Sequence, residues 1–320
     1  MQGFSSEFKS PEHYILDITY RIWELRGLEL IHDWYSYDCP VKTPMSVSVG
    51  VEPVIAGTQA TLDQFPDREL LADDIIVGDW DERVFYSSHR VRSPCHHIGD
   101  GLFGAPTGLA VTMLTIADCI CEADKIVDEY LVRDNCGVAI QLGIEPELQV
   151  ARMIELGNTD GQTSADDLVA RWSDSVRVHG DAAVAEVAIQ AYHKRLTGDH
   201  SWVEHYDRAL RFEGSGASLV HGLTGLQAWD QERFGGLSEP VLTIHHVIVR
   251  ADANKPVRIA LRWSVKAKHD RVSMFGPAVD AEVALLGASH FELRDGKILN
   301  EWMIFDELSL YAQLMHRAGA

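Results

Sequence analysis

The ten residues KILNEWMIFD (297–306) decide the fold once they are laid over KIVDEYLVRD (125–134). The two stretches share Lys-Ile, the Glu and the closing Asp at one constant offset of 172. Extending that offset without gaps over 90–142 and 262–314 pairs Arg90 with Arg262, His97 with His269, Phe103-Gly104 with Phe275-Gly276 and Val111 with Val283. It also pairs Leu114 with Leu286 and Gln141-Leu142 with Gln313-Leu314. Twelve of 53 positions are identical, against about 3 expected if average compositions agree by chance. A repeat of this length means that one unit is built twice, so it governs the fold assignment.

Outward from that strand, each copy has the same layout. In the second half, residues 181–196 carry helical spacing behind an Asp cap and stop before Gly198. A shorter amphipathic segment spans 201–210, a short strand 210–213 and a helix 223–234. Runs rich in β-branched and aromatic residues at 241–251, 256–268, 281–293 and 297–306 read as four strands. Asp295-Gly296 marks a hairpin between the last two. A helix at 307–316 closes the unit. The first half repeats the order, with helices from 11 to about 35, strands from 75 to 134 and a short helix to 142. Helices first and antiparallel strands afterwards give an α+β domain with helices on one face of a curved sheet. The expected organisation is domain 1 over 1–145, a helical linker over 146–178, and domain 2 over 179–320. Within the linker region, 145–156 and 164–178 read as helices.

The bulk properties bound the function. Length and composition (320 residues, 46% hydrophobic, 24% charged) suit two globular domains. A formal charge of −20 argues against nucleic acid and anionic membrane surfaces, both of which need clustered Lys and Arg. Residues 1–13 lack the apolar stretch of a signal peptide. Five cysteines, odd in number and confined to the first half, suit reduced thiols. The expected compartment is the cytoplasm.

Several motifs in order resemble the SnoaL-like polyketide cyclase family, of the nuclear-transport-factor-2-like superfamily. They are Gln64-Phe65-Pro66-Asp67, Ser88-His89-Arg90-Val91 and Gly101 through Gly104 to Pro106-Thr107-Gly108 in the first half. In the second half they are Leu261-Arg262-Trp263, then Asp295-Gly296-Lys297-Ile298 through Glu301-Trp302 to Asp306. The resemblance implies two tandem cone-shaped domains of α+β barrel type, each a curved sheet and its helices around an apolar pocket. It implies an internal pseudo-dimer made by packing the two sheets; a further homodimer stays open. It also implies an Asp on the last strand as general base, without metal or organic cofactor, and by motif position that Asp is Asp134 and Asp306. The two copies depart from the pattern differently: the second has Phe234-Gly235-Gly236 in place of Phe-Pro-Asp, and Pro277-Ala278-Val279 where the first keeps Pro106-Thr107-Gly108.

The residues themselves allow a competing reading at each candidate. Strand alternation sets Asp134, Val132 and Tyr130 on one face, and Asp306, Ile304 and Trp302 on its counterpart. A carboxylate desolvated there would gain basicity, yet an Asp directly before a helix is also a cap. Arg90 and Arg262 suit an oxyanion or orienting role, or a structural pair with Glu129 and Glu301. His89, His97, His269 and His290 are proton-shuttle candidates by chemistry. Trp34, Tyr35, Tyr130, Tyr206 and Trp302, with Glu129 and Glu301, are candidates for pocket walls. Cys95-His96-His97 lacks the spacing of a zinc site, and no phosphate loop or nucleophile elbow occurs. The expected activity is proton abstraction from a small apolar or carbonyl-containing compound, of cyclase, isomerase or dehydratase type. The alternatives are a non-catalytic binding or scaffold protein, and a hydrolase or lyase using a pocket-bound water.

Overall fold

A computed structural model describes residues 3–78, 83–159, 161–173 and 177–319. Two open sheets dominate it. The first holds β1 (Pro40–Lys42), β2 (Val47–Val49), β3 (Leu71–Val77), β4 (Val84–His96), β5 (Ala110–Glu122) and β6 (Lys125–Arg133), in the order β2-β1-β6-β5-β4-β3. The second holds β7 (Arg177–His179), β8 (Tyr206–Gly214), β9 (Ser218–His221), β10 (Leu237–Arg250), β11 (Val257–His269), β12 (Ala281–Arg294) and β13 (Lys297–Phe305), in the order β7-β10-β11-β12-β13-β8-β9. The 172-residue offset carries β6 onto β13 residue for residue, and both strand orders then coincide except for the added edge strand β7. Neither sheet closes on itself, so the expected barrel is in fact an open sheet in each half.

The expected strands and the helix Ala182–Thr197 appear within a few residues of their reading. Asp181 accepts from the backbone of Ala183 and Val184, and Gly198 closes the helix with a left-handed φ of 74°. Three short strands and a helix differ from the reading. β1, β2 and β9 are only three or four residues long, too short to show alternation, and the continuous helix Val51–Gln64 contains Pro53 and Gly57, which mask its helical signal. The expected strand at 210–213 is the end of the longer β8, which starts at Tyr206 and absorbs the second half of the expected amphipathic segment. The 164–178 helix ends at Trp172, β7 begins at Arg177, and residues 174–176 lie outside the described residues.

The central strands are buried on both faces, as β11 and β12 show along nearly their full length. One face of each sheet meets its own helices and encloses a cone. The other faces the opposite sheet, where Leu114, Ile116, Tyr130 and Val132 pack with Ala284, Leu286, Ala288, Trp302 and Ile304. The linker helix Ala165–Trp172 inserts Leu168 and Trp172 into this seam. Apolar seam and cone walls alternate along each strand, which is why the strands read as continuous hydrophobic runs.

Candidate active site

Strand parity sorts the polar residues between cone and seam. On β4–β6, His89 lies beside Ala117, Ala117 beside Leu131, and Cys119 beside Glu129. These residues and Arg133 face the first cone. Even-numbered Ser88, Arg90, Asp118 and Tyr130 face the seam.

The first cone encloses a cavity of about 240 Å³. Ile15, Ile18 and Trp23 close it from the N-terminal helical segment, and Val54 and Thr58 from the helix Val51–Gln64. Its polar groups include Glu129, Tyr35, His89, Thr115, Arg68 and Arg133. The Tyr35 hydroxyl donates to Glu129 Oε2 at 2.8 Å. Burial raises the Glu129 carboxyl above its ordinary value, opposed by that hydrogen bond and by the Arg133 charge. His89 is 5% exposed, and its Nε2 finds no hydrogen-bond partner among the described residues. Burial, and then the charge of Arg90, push its imidazole down to about 4, so at neutral pH it is uncharged. Thr115 Oγ1, Arg68 Nε and Arg133 Nε are likewise buried and unpartnered. Buried polar groups are normally satisfied, so their convergence on one cavity makes it the candidate site. Cys119 also lines it, but burial lifts its thiol well above its ordinary value.

The second cone is filled by protein. Arg195 Nη1 holds both oxygens of Glu301 at 2.8 and 3.1 Å, and Tyr206 and Tyr192 donate to it at 2.8 and 2.9 Å. At the positions of His89, Val91, Cys119 and Arg133 this copy has Leu261, Trp263, Phe291 and Phe305, all fully buried. The Trp263 ring lies against Gly287, where an added Cβ would come within 2.2 Å of it. Glu301 and Tyr206 therefore belong to a locked internal network and, among the described residues, lie on the wall of neither the first cavity nor the one adjoining it.

Most of the other sequence candidates serve the seam. Arg90 stacks on the Trp302 ring at 3.5 Å, and Arg262 on the Tyr130 ring at 3.3 Å, a pair of cross-sheet contacts related by the repeat. Arg262 Nε lies 2.9 Å from Asp118 Oδ2, which also receives His246 Nδ1 at 3.0 Å. Although burial pushes the Asp118 carboxyl up, His246 and Arg262 outweigh it and hold it below its ordinary value. His290 contacts Ser88 at 2.9 Å and Arg90 at 3.3 Å, and burial drives it well below its ordinary value. Arg90, Arg262, His290, Tyr130 and Trp302 are thus corrected from pocket to seam: their parity is opposite to that of the cone wall. The alternative pairing of the two arginines with Glu129 and Glu301 fails for the same reason.

Asp134 accepts from the backbone N–H groups of Gly137, Gly216 and Ala217, each at 2.9 Å. It caps the helix Asn135–Gln141 and ties it to the β8–β9 turn, outside the cone. Asp306 caps the helix Glu307–Ala318 through Leu308 and accepts from Asn135 Nδ2 at 2.9 Å. The residue does line a cavity, an adjoining one of about 580 Å³ that also has Asn158 on its wall and shares Thr43, Ser46, Leu131 and Arg133 with the first. Burial raises the Asp306 carboxyl to about 7. His97 and His269 lie at equivalent loop starts, bonded to Thr107 at 3.2 Å and Ser273 at 2.9 Å. Trp34 packs in the first core, with the Arg21 guanidinium 5.6 Å above its ring. Of the Cys95-His96-His97 trio, Cys95 is buried, His96 pairs with Asp67 at the surface and His97 rests on Phe65.

The cavity therefore uses three of the sequence candidates, Tyr35, Glu129 and His89. It adds Arg68, Thr115 and Arg133, which sequence reasoning missed. Arg133 was within reach, because alternation puts it on the same face as Glu129 and Leu131. Arg68 carries no periodic signal, since it sits in the turn after Phe65-Pro66-Asp67.

Residues 162–301 match the family model of the SnoaL-like domain. No curated protein matches the chain. Among solved structures, a putative SnoaL-like polyketide cyclase from Jannaschia sp. CCS1 is 14% identical over 41% of this chain and 90% of its own, with a TM-score of 0.36. AclR, a putative hydroxylase from Streptomyces galilaeus, is 16% identical over 43% and 98%, with a TM-score of 0.37. IdmH, a putative polyketide cyclase from Streptomyces antibioticus, is 19% identical over 42% and 99%, with the same score.

Proposed function

With a SnoaL-like domain at residues 162–301 packed against a first half of the same build, we propose that this chain is a cofactor-independent enzyme working in the first cone only. Its reaction is proton abstraction from carbon beside the carbonyl of a small, largely apolar compound, leading to cyclisation, isomerisation or dehydration. Glu129 is the base. Burial raises the proton affinity of its carboxyl, the direction that favours general-base catalysis. Tyr35 orients it through the 2.8 Å hydrogen bond. The uncharged His89 and Thr115 supply hydrogen bonds to the oxygen on which enolate charge develops. The observation that carries this reading is the enclosed apolar cavity with one activated carboxylate and several unsatisfied polar groups.

Residues 162–301 then act as the structural partner of the first cone, a reading favoured by the Arg195–Glu301 plug. The test is deuterium incorporation. Ring-bearing ketones and 1,3-dicarbonyls in D2O, followed by NMR, should exchange their acidic C–H faster with the protein than in buffer. Glu129→Gln should lower that rate by about a hundredfold or more, whereas Asp134→Asn and Asp306→Asn should leave it within a few-fold. If no compound exchanges, and Glu129→Gln binds the panel as the wild type does, the protein is a binder and this reading is dropped.

A further inference from the structure

Arg68 is 3% exposed and lines the first cavity, and its Nε has no hydrogen-bond partner among the described residues. Its position is fixed from three sides. Its backbone N–H donates to Phe65, its carbonyl accepts from Arg26, and the preceding Asp67 is anchored on His96. The charges that act on it make the site unusual. Beside the buried Cys95 thiol, the charges that act on it are those of Arg133 and Arg26, both of its own sign, and no ion pair joins it to a carboxylate of the described residues. Glu129, the one acid on the cavity wall, is engaged by Tyr35 and faces Arg133 instead. A buried charge without a counter-ion is strongly unfavourable, and proteins keep one only where a partner arrives. The setting sharpens this, because the chain as a whole carries −20 and repels anions at long range. Two guanidinium groups on the wall of this largely apolar cavity run against that average.

We propose that the ligand of the first cone carries a carboxylate that pairs with the Arg68 guanidinium, with Arg133 beside it. A planar guanidinium and a carboxylate match in a two-point hydrogen bond. Ile15, Ile18, Val54 and Leu131 supply an apolar wall that takes a hydrocarbon body. Benzene fills a cavity of roughly 150 Å³, so about 240 Å³ holds a ring-bearing acid of about naphthoate size. This deepens the catalytic reading above and rests on the same cavity. It adds that the substrate is an acid, held by its carboxylate while Glu129 works on carbon elsewhere in the molecule.

The test compares 2-naphthoic acid with 2-naphthamide, an uncharged isostere, by calorimetry at neutral pH on the full chain. Wild type should bind the acid at least about tenfold more tightly than the amide, the range expected for a hydrogen bond to a charged group. Arg68→Met should weaken acid binding by about ten- to a hundredfold and leave amide binding within about threefold. Equal affinities in wild type, no binding of the acid, or an acid preference that survives in Arg68→Met would each overturn the assignment. The wild-type comparison decides the matter even if the variant misfolds. Glu129→Gln separates the two readings. Should the acid preference hold in that variant while no carbonyl compound exchanges in wild type, the anion site stands and the catalytic reading falls. The converse result leaves Glu129 and removes the carboxylate.

Discussion

At Asp306 the folded protein holds a carboxyl whose burial lifts it to about 7, against roughly 3.9 in an unfolded chain. The folded state therefore binds this proton more tightly than the unfolded state does. Stability falls as pH rises from about 4 to about 7 and is level above that. Asp306→Asn removes the ionisation while an amide oxygen still accepts from Leu308. Its melting temperature should exceed wild type by several degrees at pH 8, on the order of 4 kcal/mol, and the gap should close near pH 4. A gap independent of pH would mean that the carboxyl is not held up. His89 contributes with the opposite sign: its folded value of about 4 makes stability drop as pH falls from about 6.5. Comparing wild type with Asp306→Asn cancels that contribution. The site itself was only half legible in the sequence, and the reason is strand parity. Both faces of β4–β6 are buried, so polarity along the strand does not tell cone from seam. Positions identical in the two copies, such as Arg90 and Arg262 or Asp134 and Asp306, turn out to build the shared architecture. The cavity opens where the copies differ, at His89 against Leu261 and Arg133 against Phe305, around a Glu129 that both copies share with Glu301.

Asp134 shows what such a shared residue does for its element. The helix Asn135–Gln141 spans seven residues and would be marginal alone. One carboxylate satisfies its Gly137 N–H together with Gly216 and Ala217 from the β8–β9 turn of the other domain. Removing the acceptor strands three buried or partly buried donors, each worth about 1–3 kcal/mol when left unmade. Asp134→Ala should therefore cost about 3 kcal/mol or more, a fall of several degrees in melting temperature by calorimetry. Asp134→Asn, which keeps one acceptor oxygen, should lose less. A neutral Asp134→Ala would show that water or a neighbouring group replaces the cap. Long elements such as the helix Ala182–Thr197 and strands β11–β13 were readable, because each carries caps, a hairpin turn or many periods of its pattern. β1, β2 and β9 were not, because three or four residues hold too little periodicity and their pairing is set by the neighbouring sheet.

At the scale of the whole molecule, the seam makes the two halves one object. It buries Ile116, Val132 and Tyr130 against Leu286, Trp302 and Ile304. It also buries charges whose partners lie across it, with Asp118 of the first sheet held by Arg262 and His246 of the second. At its rim, Arg92 reaches Glu213 at 2.7 Å and Arg258 pairs with Asp74. Separating the halves would expose the apolar stripe and leave Asp118 and Arg262 without counter-charges, each change unfavourable. The duplicated sheets are alike enough for a released half to meet a second copy of itself, but the cross-seam charges are not symmetric. Asp118 faces Arg262 in one pairing, whereas the repeat-related contact is His290 with Arg90. A homodimer of the second half would set Arg262 against His290 in both contacts and lose the carboxylate altogether. The chain cut in the loop between residues 158 and 161, with both fragments expressed together, should therefore yield a one-to-one complex on size exclusion. Residues 161–320 expressed alone should aggregate or form a weaker dimer that dissociates at lower concentration. Two soluble monomers that ignore each other on mixing would overturn the view of the seam as the core of the molecule, and the second half would then need another role than bracing the first cone.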